Sequence, residues 1–130
     1  MADQGTRTVL LVDDEHAIVE ALGELLAWDG YAVKVAPNGR AALQVLRDGP
    51  VDVVVLDMMM PAMDGLQAAA AIRADVALRH IPIVLMSAAP IPRRERPDWD
   101  ASLQKPFDLD SLRRTLTHVL SAVRPSGGVP

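Results

Sequence analysis

Residues 53–57 read Val53-Val54-Val55-Leu56-Asp57: four apolar residues, three of them β-branched, ending on a carboxylate. The same form recurs along the chain. Val9-Leu10-Leu11-Val12 runs into Asp13-Asp14, and Ile83-Val84-Leu85-Met86 runs into Ser87. A shorter apolar stretch around Leu103 runs into Lys105-Pro106. Short runs rich in Val, Ile and Leu, alternating with helical segments, read as buried parallel strands. Ligand sites in open α/β sheets lie beyond the carboxyl ends of the strands. Three carboxylates, one hydroxyl and one ammonium are therefore expected on one edge of one sheet.

The segments between these runs read as amphipathic helices. Ile18, Ala21, Leu22, Leu25 and Leu26 form a helical stripe with Glu15, Glu20 and Glu24 off it, and Gly30 follows as a C-terminal glycine. Residues 31–35 alternate as a strand does. Asn38 is placed to cap a helix carrying Ala42, Leu43 and Leu46. Asp64 with Gln67 three residues on makes a capping-box start to a third helix. Leu109, Leu112, Leu116, Val119, Leu120 and Val123 sit at helical spacing near the end, with Arg113 and Arg114 outward. The alternation predicts an α/β fold with a doubly wound five-stranded parallel sheet and helices on both faces. One segment breaks it. Residues 88–100 contain Pro90, Pro92 and Pro97, which leaves room for at most a short helix or turn around residues 91–96.

A chain of 130 residues fits one domain. Residues 1–6 read as a disordered lead-in, 7–123 as the domain, and 124–130 as a flexible tail or linker stub. The only aromatic residues are Trp28, Tyr31, Trp99 and Phe107, so the core must be aliphatic. A net charge of −4 gives no electrostatic reason to expect nucleic acid or an anionic membrane as partner. The absence of cysteine excludes disulfides and thiolate metal sites. No apolar run is long enough to span a membrane, and the start lacks the basic and apolar regions of a secretory signal, so a cytoplasmic protein is the simplest reading.

The edge has a defined chemistry. Asp13, Asp14 and Asp57, with the carbonyl of Met59 just past Asp57, suit a hard cation such as Mg²⁺. Packed together without a cation, three carboxylates repel one another. Asp57 ends the central run and is the best placed nucleophile; a carboxylate attacking phosphorus gives an acyl phosphate. Lys105, one of only two lysines, and Ser87 supply counter-charge and a hydrogen bond to the phosphoryl oxygens.

The stretch from Val55 through Asp57, Met58-Met59-Met60-Pro61 and on to Asp64-Gly65 resembles the phosphoacceptor loop of the response-regulator receiver domain, the CheY-like family. Asp13-Asp14, Ser87-Ala88 and Lys105-Pro106-Phe107 stand in that family's order and approximate spacing, so the resemblance spans roughly residues 7–123. It implies a flavodoxin-like (βα)5 fold, here with an atypical, shortened fourth helix. It implies that Asp57 accepts phosphoryl from a histidine kinase or histidine phosphotransfer protein. Asp14 and Asp57 would bind Mg²⁺ directly, with Asp13 helping. Ser87 would stand for the family's Thr/Ser, Lys105 would pair with a phosphoryl oxygen, and the Lys105–Pro106 bond would be cis. Such a chain is no enzyme beyond its own phosphorylation and dephosphorylation. Two departures stand out. The family's aromatic switch position, three before the lysine, is Ser102 here, and the segment between Ser87 and Lys105 is short and proline-rich where the fourth helix normally runs. The expectation is an intact acceptor with an atypical output.

Plainer readings accompany these. Asp13-Asp14 also suits a helix cap, and Asp64 reads as a cap rather than a ligand. The Met58-Met59-Met60 run reads as core and loop filler. His16, His80 and His118 are scattered and read as surface residues, with His16 the one near the acidic edge. Arg93, Arg94 and Arg96 read as a solvated loop, or else as a partner contact. Ser87 also suits a turn. Two other functions compete. A haloacid-dehalogenase-type phosphatase needs a second Asp two residues after the nucleophile, where this chain has Met59. A pseudo-receiver, which signals by contact alone, keeps the fold without the phosphorylation.

Overall fold

The computed structural model describes residues 6–122. The order is β1 (Thr8–Val12), α1 (His16–Trp28), β2 (Ala32–Ala36), α2 (Gly39–Asp48), β3 (Val53–Asp57), α3 (Gly65–Ala74), β4 (Ile83–Ser87), β5 (Ala101–Gln104) and α4 (Leu109–Ala122). The five strands form one parallel sheet in the order β2-β1-β3-β4-β5. The sheet reverses its winding between β1 and β3, and that is where an open α/β sheet forms its crevice.

The two-residue period of the strands divides the core. Leu10, Val12, Val54, Leu56, Ile83 and Leu85 face α2 and α3 in one apolar cluster. Val9, Leu11, Val53, Val55, Val84, Met86 and Leu103 face α1 and α4 in the other. Because β1, β3 and β4 are covered on both sides, they are apolar throughout rather than alternating. Each fully buried aliphatic side chain of this kind contributes roughly 1.5–3 kcal/mol.

The helix ends follow the local chemistry of the sequence. Gly30 adopts a left-handed φ of +96°, and the N–H groups of Gly30 and Tyr31 return to the carbonyls of Ala27 and Leu26. Asn38 Oδ1 accepts from the Ala41 N–H at 2.8 Å. Asp64 and Gln67 form the reciprocal capping box at 2.8 and 3.0 Å. At α1 the N-cap residue is Glu15, with no side-chain cap, and of the acidic pair it is Asp13 whose carboxylate accepts the Glu15 N–H, at 2.9 Å. Val123, expected to continue the α4 stripe, and the proposed lead-in and tail, apart from Thr6, lie outside the described residues.

No helix forms between β4 and β5, not even the shortened one expected; residues 88–100 make only bends. Three prolines remove main-chain donors and fix φ at intervals too close for a helical turn. Ala89, Ile91 and Trp99 from this segment pack on the α2–α3 cluster. Arg73 holds the segment's far end. Its guanidinium donates to the carbonyls of Arg79 and Ile81 and pairs with Asp100. The Asp100 carboxylate also accepts the Ile83 N–H, at 2.8 Å.

Arg113 of α4 grips Asp29, just past α1, through two hydrogen bonds of 2.8 and 2.9 Å. The Arg113 guanidinium holds the Asp29 carboxyl below the ordinary value of 3.8. A lowered carboxyl pKa contributes stability that is present above the unfolded value and lost as pH falls through the folded one. Wild type is therefore expected to exceed Arg113→Gln in stability at neutral pH, with the difference closing as pH falls below 3.8. Urea titrations at several pH values read this directly, and a gap that persists in acid would assign the effect to packing instead.

Candidate functional site at the β1–β3 edge

β1 and β3 are neighbours in register, with Val12 opposite Leu56. The next residue of each strand, Asp13 and Asp57, therefore arrives at the same edge, and both are buried. Asp14 lies beside them, exposed. Carboxylate oxygens of Asp13, Asp14 and Asp57 all lie within 4.8 Å of one another. The loop after β5 brings Lys105 across: its Nζ donates to Asp57 Oδ1 at 3.1 Å and to Asp13 Oδ2 at 3.4 Å. The Lys105–Pro106 peptide is cis, as the resemblance implied.

Burial pushes the Asp57 carboxyl above its ordinary value. The hydrogen bond from Lys105 opposes this, and the negative charges of Asp13 and Asp14 reinforce it. Burial alone would lower the Lys105 ammonium, but its hydrogen bond to Asp57 and the field of Asp13 outweigh that and raise it. Lys105 is thus firmly charged and shared between two carboxylates. Three carboxylates face one ammonium, and the uncompensated charge is that which a divalent cation neutralises. The donors are all hard oxygens, so the set fits a cation of the Mg²⁺ class.

The other expected residues fall around this core. Ser87 ends β4 one residue beyond Met86, which pairs with Asp57 in register. It is buried, its Oγ donates to the Ala89 carbonyl at 2.7 Å, and it accepts the Ala89 N–H at 3.0 Å. The turn reading of Ser87 is thus realised at the strand end expected of the site. Met58 and Met60 are buried as filler, while Met59 is exposed. The Met58 carbonyl accepts the Gly65 N–H at 2.8 Å, whereas the Met59 carbonyl accepts no hydrogen bond among the described residues. Asp64 is a cap, separate from the acidic cluster. His16, at the first position of α1, is exposed. Ser102 is also exposed and pairs with Leu85 in the sheet.

Two features were not anticipated. Ala62 takes a left-handed φ of +67° in the loop between β3 and α3, a conformation that costs a non-glycine residue about 1–2 kcal/mol. The crowded Met-Pro-Ala-Met-Asp-Gly run was the available signal. Gly65 is also close-packed: a Cβ there would lie 2.4 Å from the Asp57 carbonyl oxygen. The glycine directly after the Asp64 cap marked the position, but only the fold reveals the contact.

Among the described residues no helix is long and apolar enough to cross a membrane. A family model described as the response regulator receiver domain matches residues 9–117. The chain is 34% identical over 124 residues to the response regulator MprA of Mycolicibacterium vanbaalenii, a match covering 92% of this chain and 53% of that protein. It therefore spans about half the length of the curated relatives it matches. Among solved structures it is similar to the chemotaxis protein CheY4 of Vibrio cholerae, at 30% identity and a TM-score of 0.81, covering 88% of this chain and 99% of that one. It is also similar to the response regulator TrrA of Thermotoga maritima, described in complex with Mg²⁺ and BeF, at 34% identity and a TM-score of 0.79, with the same coverage. On the extent of the family match, and on a sheet that carries its acidic edge at the switch in winding, the chain belongs to the response regulator receiver domain family, the signalling modules of two-component systems.

Proposed function

We propose that this chain is a phosphoryl-accepting receiver in which Asp57 takes a phosphoryl group from the phosphohistidine of a histidine kinase or histidine phosphotransfer protein. The observation that carries this reading is the charge imbalance at the β1–β3 edge, where three carboxylates cluster and a single ammonium pairs with two of them. Mg²⁺ would be held by Asp13, Asp14, Asp57 and the Met59 carbonyl. Asp14 is exposed and has no ion pair among the described residues, so its oxygens are available as direct ligands. Asp13 commits one oxygen to the Glu15 N–H and the other to Lys105, which suits a supporting role.

In the transfer, a carboxylate oxygen of Asp57 forms the new P–O bond as the P–N bond to the donor imidazole breaks, and the bonding pair leaves with the imidazole. Bound Mg²⁺ supplies charge neutralisation to the phosphoryl oxygens. Lys105 already lies 3.1 Å from Asp57 Oδ1 and can follow the new oxygens with its ammonium. The Ser87 hydroxyl can exchange its bond to the Ala89 carbonyl for one to a phosphoryl oxygen, which would release the first turn of residues 88–100. Output then leaves through that proline-rich segment and the Ser102 face of β5, not through a helix between β4 and β5. The chain acts on its own side chain only, in a cytoplasmic setting.

Two measurements test this. Intact-mass spectrometry after incubation with Mg²⁺ and a small acyl-phosphate donor should show one added phosphoryl. Mg²⁺ alone, at about a hundred times its dissociation constant, should stabilise the fold by about 2.7 kcal/mol. That corresponds to a rise in melting temperature of roughly 10 °C, and Asp14→Ala should remove most of it. An equal rise in the variant would exclude Asp14 as a ligand. The pseudo-receiver is favoured by one observation, an exposed Ser102 where the family's switch is aromatic. It predicts no phosphoryl uptake, from a cognate kinase or from a small donor.

A further inference from the structure

Four of the six methionines, Met58, Met59, Met60 and Met63, stand within the six residues after Asp57, and a fifth, Met86, pairs with Asp57 in register. The chain has no cysteine, so a thioether is its softest nucleophile toward a peroxide. Burial divides these five methionines. Met58 and Met60 are 8% exposed and Met86 is 0% exposed, all within the two core clusters. Met63 is half-buried, and its Sδ packs over Gly39, where an added Cβ would meet it at 2.8 Å. Met59, by contrast, is 62% exposed.

The difference has two consequences. A peroxide reaches the Met59 side chain in the native fold, whereas the core sulfurs meet it only when the chain opens locally. A sulfoxide at Met58, Met60 or Met86 would also put a polar group into an apolar core and weaken the fold. At Met59 the side chain already stands in water, so oxidation there spares the core.

Met59 also stands beside the acidic edge. Its Cα is at most about 7 Å from that of Asp57, the span of two residues of extended chain. A side chain with three rotatable bonds can bridge such a distance, directly or through one bound water. A thioether is a soft donor that does not suit Mg²⁺, but a sulfoxide offers a hard oxygen that carries the negative end of its dipole. That oxygen adds repulsion to the three carboxylates when no cation is bound and attraction when one is. Both changes favour the bound state.

We propose that Met59 is a site of oxidation by peroxide, and that its sulfoxide tightens Mg²⁺ binding at the β1–β3 edge. The inference rests on the metal site proposed above. In the reaction, a sulfur lone pair attacks one oxygen of hydrogen peroxide and forms the S–O bond as the O–O bond breaks. The leaving hydroxide takes the proton of the transferred oxygen and departs as water. The sulfur is oxidised by two electrons, and the peroxide is reduced by two.

The test exposes the folded chain to hydrogen peroxide, maps the oxidised peptides by mass, and titrates the same samples with Mg²⁺ in a calorimeter. One oxygen should appear at Met59 ahead of Met58, Met60, Met63 and Met86, and the Mg²⁺ dissociation constant should fall by about fivefold. Methionine sulfoxide reductases should restore the original affinity. Met59→Leu should bind Mg²⁺ equally before and after treatment. Earlier oxidation of any of the other four, an unchanged or weaker affinity once Met59 is oxidised, or an equal gain in Met59→Leu would each overturn the proposal. The untreated protein separates the two readings. If it binds no Mg²⁺, both the metal site and this inference fail. If it binds Mg²⁺ with an affinity indifferent to oxidation of Met59, only this inference fails.

Discussion

Asp57→Ala is expected to abolish phosphoryl uptake while leaving the fold intact. Wild type should gain one phosphoryl from a small acyl-phosphate donor with Mg²⁺, and the variant none above background. The position of the proposed acceptor makes the expected loss complete. Asp57 is the carboxylate at the centre of the edge, bonded by Lys105 at 3.1 Å and close to both other acids. The fold should survive because burial and two neighbouring carboxylates hold the Asp57 charge unfavourably when no cation is present. Removing that charge relieves repulsion, and Lys105 keeps Asp13 as a partner. Circular dichroism and urea unfolding should therefore show a variant at least as stable as wild type without Mg²⁺, but with little response to added Mg²⁺. Uptake equal to wild type would move the acceptor to another side chain.

Gly65→Val should damage both the fold and the site. A Cβ at Gly65 would lie 2.4 Å from the Asp57 carbonyl oxygen and 2.6 Å from the Met58 Cα. Both are backbone atoms, so no side-chain rotation relieves the clash, and the end of β3 must move. Overpacking of this kind costs about 3 kcal/mol. The displaced segment is the one that carries Asp57 and the Met59 carbonyl. A misplacement of about 1 Å lowers rates on the order of a hundredfold, so phosphoryl uptake should fall even in the folded fraction. Gly30→Ala is the control: a Cβ there has open space, but at a φ of +96° a non-glycine residue costs about 1 kcal/mol, and uptake should stay unchanged. A Gly65→Val protein with wild-type stability and uptake would show that the β3–α3 junction yields more readily than this packing allows.

The strands were legible because burial on both faces demands continuous apolar runs, and β1, β3 and β4 have them. The Asp64 and Asn38 caps were legible because their partners lie three residues away. Asp13 was less so: both it and Asp14 follow an apolar run, and nothing local distinguishes them. Strand alternation turns Asp13 inward to Lys105 and leaves Asp14 exposed, and this depends on a lysine ninety-two positions later. The proline-rich segment was legible as irregular, but not as a wall. Its course is set by Arg73 and Asp100, which lie far apart in sequence and meet through a guanidinium.

Local order thus decided the α/β alternation, the sheet edge on which the functional groups would fall, and the irregularity of the segment between β4 and β5. Those properties depend on periodicity, capping and proline geometry, which act over a few residues. The three-dimensional packing decided which carboxylate meets the ammonium, why Gly65 admits no side chain, and that no helix at all forms between β4 and β5. Each of these is a contact between distant segments, and its geometry exists only once the sheet has brought them together.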